Sequence, residues 1–352
     1  MATIEVELER VVAQAAEDDR FSGVMLIARG SDIVFIRSYN YACRRFGVKN
    51  QIDTRFDIAS LGKMFTGVAI GQLVEEGLLS FSAPLSRYLP EYPRDVSERV
   101  TIHHLLTHSS GLGSIFDGGW DIASQARFRT FQEIIPHFRD RPLLFEPGAA
   151  WEYSNAGYIL LGAVIEAITG RSYFDYIQEH IFTPAGMYDT GPYSLDEDVP
   201  NLAYASSRLD PSDEEDAEPR WNNVFRHWTV STPAGCVFST VFDLLQFSLA
   251  LTGGKLVSTT MVRQFTEAKV PTGQRLDQNY AYGFYDDYVG GVRVFGHAGT
   301  VPGYQAWFDV YPSLNYIVIV LTNFDHPAAR DAAWFVREHL TSASGTYKGA
   351  SQ

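Results

Sequence analysis

Two side chains near residue 60 have the spacing that the reactive pair of a nucleophilic enzyme needs. In the stretch FDIASLGKMFTG, Lys63 follows Ser60 by three positions at the start of an apolar run with helical spacing. Residues three apart lie on one face of a helix, with Cβ atoms about 5–6 Å apart. Serine is a weak nucleophile without a neighbouring base, and a lysine among apolar groups loses proton affinity and can be that base. The spacing therefore predicts that Lys63 activates Ser60.

The same spacing has a simpler structural explanation. SxxK matches arise by chance in long chains, Ser60 could cap the helix, and Lys63 could extend along the apolar surface to reach solvent. A helix that begins here would also offer unpaired N–H groups, which can stabilise negative charge that develops on a substrate. Other parts of the sequence must decide between these interpretations.

Two further stretches favour the catalytic interpretation. In FEPGAAWEYSNAGY, Tyr153 and Asn155 lie on a predicted loop that leads into a helix. The Tyr153 hydroxyl could relay a proton, and the Asn155 amide offers both a donor and an acceptor. In VFGHAGTVPGYQAWF, Gly299 follows His297 at the end of a predicted strand, where glycine would let a substrate backbone come close. SxxK, YxN and HxG each occur once, in this order.

These motifs, with the flanking phrases TIHHLLTHSSGL, PGAAWEYSNAGYILLGAVIEAITG and IFTPAGMYDT, resemble the serine β-lactamase and penicillin-binding-protein superfamily. The resemblance is closest to its class C β-lactamase-like branch, with esterases and D-amino-acid peptidases, and covers roughly residues 20 to 340. It implies that Ser60 is acylated, that Lys63 is its base and that Tyr153 shuttles the proton. It also implies that the N–H groups of Ser60 and Thr300 form an oxyanion hole.

One position departs from the pattern of the superfamily. Members that cleave β-lactams or D-Ala-D-Ala peptides usually have lysine where this chain has His297, and that lysine helps to hold the substrate carboxylate. Histidine is fully charged only at acidic pH unless its pKa is raised. We expect Asn155, His297, Gly299 and Thr300 to contact the substrate. The change at residue 297 favours ester or uncharged acyl substrates over β-lactams.

The resulting hypothesis is a serine hydrolase, most simply a carboxylesterase, that acts through an acyl-enzyme at Ser60. A β-lactamase or D-amino-acid peptidase would use the same nucleophile. An acyltransferase would pass the acyl group to an alcohol or amine through the same intermediate, so the sequence does not separate transfer from hydrolysis. A homologue that keeps the fold only for binding or scaffolding remains an alternative from another class.

Two other hydrolase classes lack their sequence signatures. An α/β-hydrolase needs a GxSxG turn after a strand, and no serine here has glycine at both flanking second positions. His103, His104 and His108 could suggest a metal hydrolase, but no HExxH is present. The sequence predicts a hydrogen-bonded structural role for His108 and neither a metal nor a cofactor.

The charge balance narrows the choice of partners. The 352 residues include 28 Lys and Arg and 42 Asp and Glu, for a net charge of −14. Such a surface repels nucleic acids and anionic membranes, so neither is expected as a partner. The expected partner is a small ester or amide substrate, and the oligomeric state stays open.

Cysteine usage and the first residues bear on the cellular compartment. Cys43 and Cys236 are far apart with no CxxC pair, which predicts two small core residues and no disulfide framework. The start, MATIEVELERVVAQAAEDDR, reads as an acidic amphipathic helix without the basic and apolar segments of a signal peptide. This predicts a cytoplasmic protein, whereas removal of a leader would equally fit a periplasmic or secreted one.

The predicted strands and helices that must position these residues fall in different parts of the chain. Strand patterns with short turns occur at both ends of the chain, and helical patterns fill the middle. Short turns argue for antiparallel pairing, because parallel pairing needs long crossovers. The predicted class is α+β, an antiparallel sheet flanked by helices with an inserted helical lobe. Residues 1–57 plus 230–352 would form the sheet domain and 58–229 the lobe, with 211–220 as an acidic loop.

Overall fold

The main sheet is antiparallel, has eight strands and is built from both ends of the chain. The computed structural model describes residues 4–115, 128–194, 196–208, 220–222 and 230–342. Across the sheet the strands are β2 (Asp32–Tyr39), β1 (Gly23–Arg29), β14 (Tyr316–Thr322), β13 (Tyr304–Tyr311), β12 (Val292–Val301), β11 (Tyr285–Val289), β10 (Gln278–Tyr280) and β9 (Val270–Pro271). This arrangement confirms the predicted α+β class.

Helices occupy the middle of the chain and both of its described ends. The α-helices are α1 (Ile4–Glu17), α2 (Gly62–Glu75), α3 (Arg94–Ser97), α4 (Ile102–Leu106), α5 (Asn155–Thr169), α6 (Tyr173–Ile177), α7 (Thr183–Ala185), α8 (Val241–Thr252), α9 (Thr259–Thr266) and α10 (Ala328–Ser342). Short strands pair separately as β3 (Tyr41–Cys43) with β4 (Val48–Lys49), β5 (Phe56–Asp57) with β8 (Phe238–Ser239), and β6 (Ser206–Ser207) with β7 (Trp221–Asn222). None of the described helices is long and apolar enough to cross a membrane.

Both faces of the sheet are covered. Because successive side chains of a strand point to opposite faces, Val318 and Val320 of β14 pack in the cluster formed with the terminal helices α1 and α10. Ile319 and Leu321 point the other way, into the larger cluster that includes α2, α5 and α8. Burial on both faces explains why β14 is apolar at nearly every position.

Helix α2 carries the SxxK motif into the larger core. The five apolar positions whose spacing predicted this helix are all buried: Leu61, Met64, Phe65, Val68 and Ala69. A 3₁₀ turn, Ala59–Leu61, precedes the helix and contains Ser60. Lys63 is 0% exposed, so the interpretation in which it extends to solvent is wrong.

Helix α5 places the second motif at its N-terminus. Ser154 is the N-cap, and its hydroxyl accepts a hydrogen bond from Gly157 N–H. The helix ends at Gly170, whose φ of 66° is a left-handed conformation that glycine adopts at little cost. The predicted loop therefore leads into a helix as expected, with Asn155 as the first helical residue and Tyr153 just before the first turn.

Three further expectations concern the middle of the chain and the domain division. The segment TFQEIIPHF, one of the helical patterns in the middle of the chain, forms a 3₁₀ helix, Phe131–His137; Pro136 lies within it and has no N–H to donate. The acidic loop at 211–220 lies outside the described residues except for Arg220. The division into a sheet domain and a lobe stays a prediction, because one buried cluster contains residues from both parts.

Candidate active site

Ser60 lies on a tight turn between β5 and α2. Its predecessor Ala59 has a φ of 48°, in the left-handed region that residues with a Cβ rarely adopt. The Ala59 N–H donates to Asp57 Oδ1 at 2.7 Å, and its carbonyl accepts from Cys236 N–H at 3.2 Å. Backbone strain of this kind persists where the surrounding structure holds it, as at many active sites.

Lys63 makes three short polar contacts in the core. Its Nζ lies 3.1 Å from Ser60 Oγ, 2.7 Å from Asn155 Oδ1 and 2.6 Å from the Ala234 carbonyl oxygen. Burial lowers the pKa of Lys63 from its ordinary range to about 7. The amine can therefore exist in its neutral, basic form near neutral pH.

Tyr153 lies beside this pair. Lys63 Nζ is 4.8 Å from the centre of the Tyr153 ring. Burial raises the pKa of the Tyr153 hydroxyl well above its ordinary value, and a hydrogen bond with the Ser60 side chain opposes this shift. The hydroxyl is therefore protonated at neutral pH, which suits a group that donates a proton to a leaving oxygen.

Asn155 is brought to Lys63 across 92 positions of the chain. Its carbonyl oxygen is occupied by Lys63, which leaves the side-chain NH₂ as the group that could contact a substrate. The expected contact with substrate stays a prediction. Sequence reasoning missed both the Asn155 contact and the Ala234 carbonyl, because neither has a local pattern that points to Lys63.

Gly299 allows β12 to approach the turn that holds Ser60. A Cβ at residue 299 would lie 2.4 Å from the Ile58 carbonyl oxygen and 3.0 Å from Ser60 N. The structure thus shows a structural reason for this glycine, the close approach of the protein's own turn, and the expected contact with substrate stays a prediction. The same approach brings Thr300 to the pocket of Ser60.

The pocket at Ser60 is small and carries no formal charge on its described lining. Its volume is about 80 Å³, and Asn155, Cys236, Thr300 and Val301 are among its lining residues. A larger cavity of about 590 Å³ lies elsewhere, between the sheet and α10, and its described lining does not include Ser60. We take the smaller pocket as the candidate active site because it contains the Ser60 side chain.

His297 is buried and uncharged. Its Nδ1 lies 2.6 Å from the Ala298 carbonyl oxygen, which can only accept, so Nδ1 carries the proton. Nε2 then accepts from the Tyr280 hydroxyl at 2.9 Å. Burial, with the nearby Lys63, lowers the pKa of His297 to about 3. Both ring nitrogens are thus hydrogen-bonded within the protein, and the contact of His297 with substrate stays a prediction.

His108 supports Tyr153 from behind. Its Nδ1 accepts a hydrogen bond from Ser154 N–H at 3.1 Å, which confirms the predicted structural role. The imidazole ring lies 4.3 Å from the Tyr153 ring and 4.5 Å from the Tyr280 ring, measured between centroids. The packing against Tyr153 could not be inferred from the sequence, since the two residues are 45 positions apart.

The other two histidines of the TIHHLLTH stretch have local partners. His103 Nδ1 lies 2.8 Å from the Tyr282 hydroxyl. His104 Nδ1 accepts from Thr101 N–H at 3.2 Å and completes a capping box at the start of α4. Within the ranges that the structure describes, no group of three or more His, Cys, Asp or Glu side chains could hold a metal ion.

The protein is a serine hydrolase of the β-lactamase and penicillin-binding-protein superfamily. The particular family is Beta-lactamase: a family model of that description matches residues 8–342, and the chain belongs to this family. The match confirms the resemblance that the SxxK, YxN and HxG motifs indicated.

Similar proteins include penicillin-binding proteins and an esterase. The chain is 30% identical to penicillin-binding protein 4* of Bacillus subtilis over 90% of this chain and 71% of that protein. It is 35% identical to esterase EstB of Burkholderia gladioli over 60% of this chain and 57% of that protein. A crystal structure of a penicillin-binding protein from Bacillus halodurans superposes with a TM-score of 0.83 at 32% identity, covering 94% of this chain and 98% of that one.

Proposed function

We propose that the protein is a carboxylesterase that acts through an acyl-enzyme at Ser60. The observation that carries this proposal is the buried Lys63 amine, 3.1 Å from Ser60 Oγ and with its pKa lowered to about 7. A base with a pKa near the working pH is the most effective one for removing a proton.

The partners of Lys63 orient its lone pair. A neutral amine has two hydrogens and one lone pair, and the oxygens of Asn155 and Ala234 can only accept hydrogen bonds. These two oxygens hold the two hydrogens, so the lone pair is left for the Ser60 hydroxyl. The arrangement therefore favours proton transfer from Ser60 to Lys63.

In the proposed reaction, Ser60, Lys63 and Tyr153 take up and return every proton that moves. Ser60 Oγ attacks the ester carbonyl carbon while its proton moves to Lys63, and the N–H groups of Ser60 and Thr300 stabilise the oxyanion. The Tyr153 hydroxyl protonates the departing alcohol oxygen as the ester C–O bond breaks, and Lys63 returns a proton to Tyr153. Water then attacks the acyl carbon, and its proton passes to Tyr153 and Lys63. The bond between the acyl carbon and Ser60 Oγ breaks, Oγ takes up a proton, and the carboxylic acid leaves.

The pocket supports an uncharged acyl group as substrate. Its described lining has no charged side chain, and His297 is neutral where a lysine would attract a carboxylate. Esterase EstB, whose name gives its activity, shares 35% identity over 60% of this chain. We therefore infer short-chain carboxylic esters as substrates, with β-lactams turned over much more slowly.

A second candidate activity is acylation by a penicillin, with slow or no release. It is favoured by the similarity to penicillin-binding protein 4* and to the Bacillus halodurans structure. Transfer to an alcohol or amine would use the same intermediate. A role in binding alone is disfavoured because Ser60, Lys63 and Tyr153 are all present and close together.

Intact-protein mass spectrometry tests the nucleophile and ranks these activities. The protein is exposed briefly to p-nitrophenyl butyrate and, separately, to a penicillin, with Ser60→Ala as the matched control. We expect a butyryl adduct that forms and is lost within the assay, and no adduct in the variant. A penicillin turned over faster than the ester would overturn the esterase assignment, and an adduct that survives in Ser60→Ala would overturn the nucleophile.

A further inference from the structure

Asp57 is a buried carboxyl group that the proposed reaction does not use. It is the last residue of β5, it is 3% exposed, and its Oδ1 accepts the hydrogen bond from Ala59 N–H at 2.7 Å. Burial raises the pKa of Asp57 to about 7, and the bond from Ala59 opposes the shift. Burying a carboxyl group is unfavourable, so a specific interaction is expected where one is found.

The group that Asp57 holds is the strained residue beside the nucleophile. Ala59 has a φ of 48°, and its N–H donates to Asp57. Its carbonyl accepts from Cys236 N–H and also, within the turn, from Gly62 N–H. Short Asp side chains commonly accept from a backbone N–H two residues on and stabilise turns in this way. Without that acceptor, an alanine would favour the right-handed region.

The conformation of Ala59 fixes the direction of the Ser60 N–H. These two residues share one planar trans peptide, in which the C=O and the N–H point in opposite directions. Because the Ala59 carbonyl points to Cys236, the Ser60 N–H points the other way. Strand β12 packs close to this peptide, since a Cβ at Gly299 would come within 3.0 Å of Ser60 N. Thr300, the other proposed oxyanion donor, follows Gly299 on the same strand.

We propose that Asp57 is a positioning residue for the oxyanion hole: its carboxyl oxygen holds Ala59 in the left-handed conformation and so aims the Ser60 N–H at the substrate oxygen. This inference rests on the proposed acyl-enzyme at Ser60. Asp57 acts through Ala59 and does not itself touch the substrate. What matters is therefore the acceptor oxygen, and not the negative charge.

A series of substitutions separates the acceptor from the charge. Asp57→Asn keeps an acceptor oxygen and should retain kcat within about threefold. Asp57→Ala removes it and should lower kcat about 100-fold with little change in KM, as when one oxyanion donor is lost. Asp53→Ala, at an exposed carboxylate four residues earlier, is the matched control and should behave as the wild type. An Asp57→Asn enzyme that folds but loses activity as Asp57→Ala does would overturn the proposal.

A double variant tests the role of the backbone conformation. Glycine adopts positive φ as readily as negative φ. Ala59→Gly combined with Asp57→Ala should therefore have a kcat at least tenfold higher than Asp57→Ala alone. A double variant with the same kcat as Asp57→Ala would contradict the link through Ala59.

If Asp57→Ala does not fold, Asp57→Ser replaces it. A serine hydroxyl accepts the same bond more weakly, so the kcat of Asp57→Ser should lie below that of Asp57→Asn and above 1% of the wild-type value. Equal kcat in the Ser and wild-type proteins would then overturn the proposal.

An oxyanion mimic supplies a readout that a merely structural role would not change. Phenylboronic acid adds to a serine hydroxyl and places a tetrahedral oxygen where the oxyanion forms, so its inhibition constant should rise in Asp57→Ala in parallel with the loss of kcat. Wild-type protein without any acyl adduct would overturn the proposed function itself. If the wild type forms the acyl adduct, but Asp57→Ala has the same kcat and the same boronate inhibition constant as the wild type, this inference alone would be overturned.

Discussion

In the proposed mechanism, the ionisation of Lys63 sets the pH at which Ser60 reacts. With the pKa of Lys63 lowered to about 7, the free enzyme gains its base as the pH rises through that value. We therefore expect kcat/KM for p-nitrophenyl butyrate to increase about tenfold per pH unit below pH 7 and to level off above it. The measurement is a kcat/KM profile from pH 5 to 9.

Two variants accompany that profile. Lys63→Ala should lower kcat by about 10³-fold and remove the inflection near pH 7, since the loss of a positioned base costs 10² to 10⁴-fold. Lys255→Ala, at an exposed lysine, should leave the profile unchanged. A profile that is flat across pH 7, or that rises only near pH 10, would show that Lys63 is not the base.

At the residue scale, the sequence was informative where the spacing is local. Ser60 and Lys63 are three positions apart in one turn, and their contact follows from helix geometry alone. The contacts of Lys63 with Asn155 and Ala234 join positions 92 and 171 residues apart, and no local pattern encodes them. The sequence predicted that His297 is not fully charged near neutral pH, but it did not show its burial or its contact with the Tyr280 hydroxyl, and burial lowers the pKa of His297 to about 3.

At the element scale, the contact of β12 with the Ser60 turn leads to a prediction. Gly299→Ala would place a Cβ 2.4 Å from the Ile58 carbonyl oxygen, which is too close for a carbon atom and a carbonyl oxygen that are not bonded. We expect the strand to shift, with a loss of about 1–3 kcal/mol in the free energy of unfolding and at least a tenfold loss of kcat. Urea unfolding and steady-state kinetics measure the two effects. Wild-type stability and activity in Gly299→Ala would contradict the packing described.

Among the elements, those with strong terminal signals were predicted best. Helix α5 has a serine N-cap and a glycine just past its end, and it follows the predicted loop of Tyr153 and Asn155, although Asn155 itself is already helical. The 3₁₀ turn before α2 was not predicted, because its shape depends on Asp57, which has no periodic pattern. The packing of Gly299 against the Ser60 turn was likewise not predicted, since the two are far apart in the sequence.

At the scale of the whole molecule, buried neutral histidines make stability depend on pH. The pKa of His297 is lowered to about 3, below the ordinary value of 6.5, so the unfolded chain binds a proton that the folded protein does not. Its contribution to stability is present above pH 6.5 and is lost as the pH falls toward 3. From pH 6.5 to 4.5 this amounts to about 2 kcal/mol.

The contribution of His297 can be measured by comparing the stability of the wild type with that of His297→Gln at different pH values. The urea midpoint of the wild type should fall more steeply than that of His297→Gln as the pH is lowered from 6.5 to 4.5. His180→Gln, at a partly exposed histidine, is the matched control and should follow the wild type. Parallel curves for the wild type and His297→Gln would show that His297 is not held neutral by burial.

The order of strands has a consequence for the synthesis of the protein. Strand β1 leaves the ribosome well before its inner neighbour in the sheet, β14. The Ser60 turn likewise precedes β12, which packs against it and carries the second proposed oxyanion donor. Nascent chains that are still being translated would therefore contain Ser60 but not the complete pocket. The proposed hydrolysis would begin only after β12 and β14 have both emerged from the ribosome.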